Sequence, residues 1–434
     1  MMAEDYRLRR QMLAKQLPLH SVAIIPAAKE VLRNGDADYR FRQQSDFYYL
    51  TGFQEPDAVL VVISAPEVQS ILFTRPRNIS EEQWQGKRLG PEAACAALSV
   101  DKAYSIEELD TQLPTLLLDK QALVYAIGQD MVWDRRLIKA LKQSKQQLRS
   151  GRTVPESMLD LSPVMGELRL IKSSEEIACM REAARITVAA HQRAMRACRH
   201  MRFEYELEAE LLYEFTRQGC RASAYDSIVA SGNNACTLHY TANDGPLTAG
   251  DLVLIDAGAE FACYAADVTR TFPVSGQFSA EQRAIYELVL AAQQAAIAAV
   301  RPGVAWDTMQ KTVVSILTQG LVDLQILQGN VSDLIETNAY KPFYMHNSGH
   351  WLGLDVHDCG RYRIAGLWRD LTPGMVLTVE PGIYISHGMP NVDPRWWGIG
   401  VRIEDDILVT EQGYDNLTGA LQSKPSEIEA LLRD

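Results

Sequence analysis

Four carboxylates stand where carboxylates are costly. Asp256 ends the apolar run VLID, and Asp267 follows eleven residues later within VLIDAGAEFACYAADVTRTF, residues 253–272. Glu380 lies in MVLTVEPGIYI and Glu404 in GIGVRIEDDILV, both rich in apolar and β-branched residues. An acid buried in a strand costs desolvation energy unless a partner compensates it. Arg402, two residues before Glu404 and on the same strand face, is one such partner; Asp405 points the other way and Asp406 returns to the Glu404 face. Glu380 has no local partner. Three histidines, His346, His350 and His357, crowd into HNSGHWLGLDVH, with His239 upstream in LHYT. Asn347, Ser348 and Gly349 are poor helix-interior residues, so a zinc pair on a helix is disfavoured and a loop entering a WLGLDV strand is expected. Taken singly, each residue has an ordinary reading: a surface aspartate, an Arg402–Glu404 pair, a hydrogen-bonded histidine. Together the four acids and one histidine make an oxygen-rich set with a nitrogen donor. Two divalent cations would balance its charge, and such ligation favours manganese, cobalt or iron over structural zinc.

The elements that must position these residues follow from pattern. Glu260–Cys263 suits a tight connection, so residues 253–272 read as an antiparallel hairpin. If Asp256 faces Asp267, the loop is Phe261–Ala262, which lacks the usual turn glycine. Ser173 with Glu176 forms a capping box opening a helix, and further helices are expected at 204–218, 280–300 and 306–321, with a strand in 225–232. The helix-then-strands order occurs twice. In the first third, helices at 6–17 and 131–148 alternate with strands at 21–25, 59–63, 70–73 and 122–125. The aromatic, charged stretch 36–56 reads as a loop or edge, or as aromatics packed into their own core, the second being favoured. Polar sequence at 150–163 marks a boundary, giving an α/β (α+β) chain with domains 1–165 and 166–434.

Composition narrows the class. A net charge of −12 argues against a general nucleic-acid binder. Seven cysteines without a Cys-x-x-Cys pair suit reduced thiols in a cytoplasmic protein. No signal peptide is visible, and the most apolar stretch, 286–300, is too short and too polar to span a bilayer.

The order Asp, Asp, His, Glu, Glu within IDAG, DVTRTF, GHWLGLDVHD, TVEPGIY and VRIEDD resembles the pita-bread metallopeptidases. Among these it is most similar to the bacterial proline-specific aminopeptidase P (Xaa-Pro aminopeptidase) group, a likeness that includes SDFYYLTGFQEPDAVLV and ELRLIKSSEEIACMREAARIT. The resemblance implies a smaller N-terminal creatinase/prolidase-like α/β domain and a C-terminal pita-bread domain. It implies two divalent ions, manganese among the candidates, on Asp256, Asp267, His350, Glu380 and Glu404, with Asp267 and Glu404 bridging both. Asp256 would hold one ion, and His350 with Glu380 the other. It gives Glu380 the general-base role, His357 a donor role to the oxyanion, His239 and His346 substrate contacts, and Arg402 the orienting of Glu404. The implied reaction is hydrolysis of the N-terminal Xaa-Pro bond of peptides with proline second. A dipeptide-restricted prolidase and a non-catalytic binding module are the rivals. A homo-oligomer (dimer or tetramer) is implied, with Trp84 near a neighbouring subunit's active site. Asn347 and Ser348 depart from the small-then-apolar pair usual after the first histidine, which bears on pocket shape.

Overall fold

A computed structural model describes residues 2–433. The chain is α/β and divides into two compact units, Met1–Arg169 and Leu170–Asp434.

In the first unit a six-stranded sheet runs in the order Lys102–Ser105, Gln69–Thr74, Val59–Ile63, Ser21–Pro26, Ala122–Tyr125, Ser157–Asp160. It is mixed: Ser21–Pro26 pairs antiparallel with Val59–Ile63 and parallel with Ala122–Tyr125. The three central strands are buried almost throughout, as their unbroken apolar runs require. Two edge strands carry no such signal. One of them, the exposed Ser157–Asp160, lies inside the stretch expected to be a linker. The stretch 36–56 is neither all loop nor all edge. Within it Ser45–Thr51 is a helix of seven buried residues, capped by Gln44 Oε1 on the Phe47 amide and closed by Gly52 at φ 64°. Two turns of helix are too short to show a period.

The second unit contains two packed helix pairs, Ser174–Ala197 with Glu204–Arg217 and Ala280–Ala299 with Asp307–Asp323. The expected capping box forms: Ser173 Oγ accepts the Glu176 amide, and Glu176 Oε2 accepts the Ser173 amide at 3.0 Å. Ser279 and Gln282 repeat it. Each helix pair is followed by a ribbon of antiparallel strands.

In the first ribbon Leu252–Asp256 pairs with Thr269–Pro273 on one side and Ile228–Ser231 on the other. Its register corrects the expected one. Asp256 faces Thr269, not Asp267, and the turn is Ala262–Cys263, one residue later than expected. Both turn residues take left-handed φ, 50° and 66°, the conformation that Asn-Gly usually supplies. Glu176, already in the capping box, accepts the Tyr264 hydroxyl beside this turn at 2.8 Å. The Thr187 hydroxyl accepts the Ala259 amide at 2.9 Å, and buried His191 meets the Ala257 carbonyl at 3.0 Å. The helix Ser174–Ala197 thereby holds a turn whose own residues disfavour it. Because the shift spans two positions in pairing, Asp267 and Thr269 still share a face with Asp256.

The second ribbon pairs Val376–Val379 with Asp405–Thr410 and Gly382–Ile385 with Ile399–Arg402. Its register is continuous across the gap, which sets Glu380 opposite Glu404. The expected WLGLDV strand does not form. Residues 348–352 instead run antiparallel along Val376–Val379, through bonds from Thr378 to His350, Glu380 to Ser348 and Leu352 to Val376. A Cβ on Gly349 would sit 2.0 Å from the Thr378 carbonyl oxygen, so only glycine fits there. The 351–358 turn that follows is tied down by a buried ion pair, Lys172 Nζ to Asp358 Oδ2 at 3.0 Å.

Breaking one half of a buried pair strands the other charge. Lys172→Met is expected to lower stability by about 3–5 kcal/mol, read from urea unfolding. Lys172→Met with Asp358→Leu is expected to recover part of that loss; equal losses would show that the pair does not anchor the turn.

Candidate metal centre

The two ribbons present their acids where strand pairing stops. Asp256 is the last residue of its strand, Asp267 falls between Tyr264–Ala265 and Thr269–Pro273, and Glu380 and Glu404 fill the gap of the second ribbon. Gly258 opposes Asp267, and a Cβ there would lie 1.7 Å from the Ala266 carbonyl oxygen. All nine residues singled out by sequence, namely Asp256, Asp267, His350, Glu380, Glu404, His239, His346, His357 and Arg402, line one cleft of about 490 Å³. Ligand atoms of Asp267, His350 and Glu404 lie within 4.8 Å of one another. Asp267 faces two ways. Its Oδ1 takes the Tyr225 hydroxyl at 2.6 Å, a hydroxyl shared with Asp256 Oδ1 at 2.5 Å, while its Oδ2 lies 3.3 Å from His350 Nε2. Glu380 Oε1 is 3.6 Å from the same nitrogen. His350 Nδ1 donates to the Trp351 carbonyl at 3.0 Å, which fixes the tautomer and turns Nε2 toward the acids.

The electrostatics are those of a cradle lacking positive charge. Burial raises the Glu404 carboxyl well above its usual range, assisted by the charges of Asp267, Glu380 and Asp256. Burial pushes Glu380 up to about 7, with Asp267 adding and His350 opposing. Burial would lower His350, but its hydrogen bond to Asp267 and the charges of Asp267 and Glu380 outweigh this and raise it to about 9. Burial likewise opposes ionisation of Asp267, yet its bonds to His350 and Tyr225 hold it below the usual carboxylate value. An imidazolium thus stands where a cation belongs. Four acids, one neutralisable imidazole and an oxygen facing each side fit divalent ions.

Residues 178–411 match the model of Metallopeptidase family M24, and residues 6–125 match Aminopeptidase P, N-terminal domain. The chain belongs to metallopeptidase family M24. It is 48% identical to the Xaa-Pro aminopeptidase of Escherichia coli over 431 residues, covering 99% of this chain and 97% of that one. Among solved structures, Pseudomonas aeruginosa aminopeptidase PepP has a TM-score of 0.98 at 46% identity, over 100% of this chain and 98% of the other. A zinc-substituted E. coli aminopeptidase P with product gives 0.97 at 47%, with the same coverage.

Within this M24 centre one expected partnership is corrected. Arg402 does not bond Glu404 directly: its Nη2 donates to Asp256 Oδ2 at 2.6 Å, its Nη1 to Tyr384 OH at 3.1 Å and its Nε to Thr269 Oγ1 at 3.2 Å. Thr269 passes the contact on, donating to Glu404 Oε2 at 2.6 Å. Arg402 and Glu404 do share the cleft face, but the guanidinium reaches across to Asp256 and Thr269 of the first ribbon. Beneath, Arg270 spends all five N–H donors on Asp405 and on the carbonyls of Glu404, Thr269, Leu421 and Gln422. Asp406 accepts the Asp267 amide at 3.2 Å. Tyr225, Thr269, Arg270, Thr378 and Tyr384 escaped the sequence reading. Thr269 was findable, two residues from Asp267 on one face. Tyr225 was not, since it precedes its strand.

The histidines differ in setting. His346 donates or accepts at Tyr384 OH (2.8 Å), and burial with the Arg402 charge brings it down to about 4. His357 is exposed, its ring 4.4 Å from that of His350. His239 is exposed on a loop pinned by buried Glu204, which accepts the Ser231 amide (2.6 Å), Asn234 Nδ2 (3.0 Å), Tyr240 OH (2.8 Å) and the Gly245 amide (2.7 Å). Ser348, one of the two departures from the usual pattern, is buried: Gln310 Oε1 accepts its amide and hydroxyl at 2.7 and 2.8 Å, and Tyr344 OH is 2.6 Å away.

Two outcomes are expected. Metal binding displaces the protons on His350 and Glu380, so manganese titration at pH 7 releases more than one proton per protein, measured by calorimetry in buffers of differing ionisation enthalpy; no release would contradict the electrostatics. Glu204→Gln turns an amide N–H toward two of the four donors and costs about 2 kcal/mol. Hydrogen exchange should then accelerate at residues 231–245 before the helices; unchanged protection there would show that Glu204 does not hold the loop.

Proposed function

We propose that this chain is a metal-dependent aminopeptidase hydrolysing the bond between the first residue and a proline in second position. The carrying observation is the convergence of four acids and one histidine on one cleft, in a chain matched over its whole length by proteins named Xaa-Pro aminopeptidase.

Asp256, Asp267, His350, Glu380 and Glu404 are the residues that would hold two divalent ions, and the oxygen-rich set favours manganese. Such ions supply Lewis-acid polarisation of the scissile carbonyl and a lower pKa for water. Glu380, partly open to the cleft, accepts a proton from the attacking water and returns it to the proline nitrogen. That return is needed because a nitrogen leaves its acyl carbon as an amine only once it has gained a proton. His357 donates to the carbonyl oxygen as it gains charge. His239 contacts the reacting peptide from its pinned loop. His346, neutral and held by Tyr384, borders the proline side. Arg402 orients Asp256 directly and Glu404 through Thr269.

Peptides are the partners in this reading, with neither nucleic acid nor membrane. No helix among the described residues is long and apolar enough to cross a membrane, and the seven free cysteines support a cytoplasmic setting. A homo-oligomer is supported by Ile79 and Trp84, 85% and 89% exposed on one short helix.

The test is a tripeptide Xaa-Pro-Yaa beside the dipeptide Xaa-Pro, with protein stripped of metal and reloaded with manganese, cobalt or zinc. Release of Xaa from the tripeptide, lost on stripping and restored by manganese, is expected. Glu380→Ala should reduce kcat by about 10²–10⁴-fold. Cleavage of the dipeptide alone, or undiminished turnover in Glu380→Ala, would overturn the reading.

A further inference from the structure

A second cavity of about 460 Å³ lies behind the wall that carries His346 and His350. Asn347 and Gly349 line both it and the metal cleft, so the two spaces are separated by a single stretch of backbone. Trp306, Met309, Tyr362 and Trp368 give the second cavity an aromatic, apolar lining. Its charged neighbours are already engaged. Asp307 is held by Lys311 at 2.6 Å, and the Arg363 guanidinium lies 4.1 Å over the Trp368 ring. On the shared wall, Gln310 Oε1 takes both the amide and the hydroxyl of Ser348. A space of this size and lining accepts a large apolar side chain and rejects a charged one.

We propose that this cavity is a specificity subsite for the residue following the proline, taking an aromatic or large aliphatic side chain. The inference rests on the Xaa-Pro reading above, which puts the proline beside His346. Asn347 is the next residue along the same wall, so the downstream peptide passes from the cleft to the second cavity over it. Trp368 forms the outer wall. It is 37% exposed, on a short hairpin in which Arg363 faces Trp368 and Ile364 faces Leu367. The base of that hairpin is fixed by the Arg369 amide on the Tyr362 carbonyl and the Trp306 amide on the Arg369 carbonyl, at 3.0 and 2.8 Å. The Trp368 side chain takes no part in these backbone bonds, so the hairpin base stays fixed when it is replaced.

The experiment compares Ala-Pro-Phe with Ala-Pro-Gly on manganese-loaded wild type, Trp368→Ala and Trp368→Phe. The wild type is expected to prefer the phenylalanine peptide by about ten-fold in kcat/KM, chiefly through KM, a range typical of apolar pockets. Trp368→Ala should bring the ratio close to one while Ala-Pro-Gly turnover stays within about two-fold of wild type; Trp368→Phe should retain most of the preference. Equal turnover of the two peptides by wild type, or a preference that survives Trp368→Ala, overturns the subsite and leaves the Xaa-Pro reading intact. If neither peptide is cut, the Xaa-Pro reading falls and the subsite with it.

Discussion

Glu380 and Glu404 face each other across one ribbon, and Asp256 and Asp267 share a hydroxyl on the other, all largely shielded from water. Like charges in that arrangement repel, and each lacks the solvation it would have outside. Much of the second unit answers that repulsion. Arg402 neutralises Asp256, the protonated His350 neutralises Asp267, and Thr269 and Thr378 each give a hydroxyl to a glutamate. The compensation is incomplete: burial still raises Glu380 and Glu404, and it raises Asp256 as well despite Arg402. A site that binds divalent ions must keep this deficit open, because an extra fixed cation would stabilise the empty protein and weaken the loaded one.

The scaffold reaches that state by interrupting β-structure. Where a ladder is continuous, side chains alternate and only every second residue points inward. At the gaps of both ribbons the pairing stops but the alternation continues, so Arg402 and Glu404 both face the cleft while Asp405 turns to Arg270 beneath. The ribbons then need support from elsewhere, since a gap removes backbone bonds. Arg270 provides it at one junction with five satisfied donors, and the 348–352 segment provides it along the other. The helix Ser174–Ala197 supports the tip of the first ribbon through Glu176, Thr187 and His191.

The acids were legible in the sequence because buried acids in apolar runs are anomalous on sight, and the helices because their caps and periods are long-range signals. The hairpin was legible, but not its register: the left-handed Ala262–Cys263 turn is imposed by Glu176 some ninety positions upstream, and nothing local announces it. The shared face of Arg402 and Glu404 was legible too, but not the partner of Arg402, because Asp256 lies 146 positions away on the other ribbon. Tyr225 and Tyr384 were invisible because a tyrosine in or beside a strand looks like ordinary packing until its hydroxyl is seen among carboxylates. The exposed edge strand Ser157–Asp160 reads as linker because its residues face solvent.

The span of the Arg402–Asp256 contact has a consequence for how the chain is made. The two residues are 146 positions apart. During synthesis the first ribbon is complete, with both aspartates side by side, while the arginine that neutralises one of them is still unmade. Contacts of such sequence separation close late, because loop entropy must be overcome first. The first ribbon therefore precedes the residue that neutralises it, and the Arg402–Asp256 contact closes only when the last quarter of the polypeptide docks.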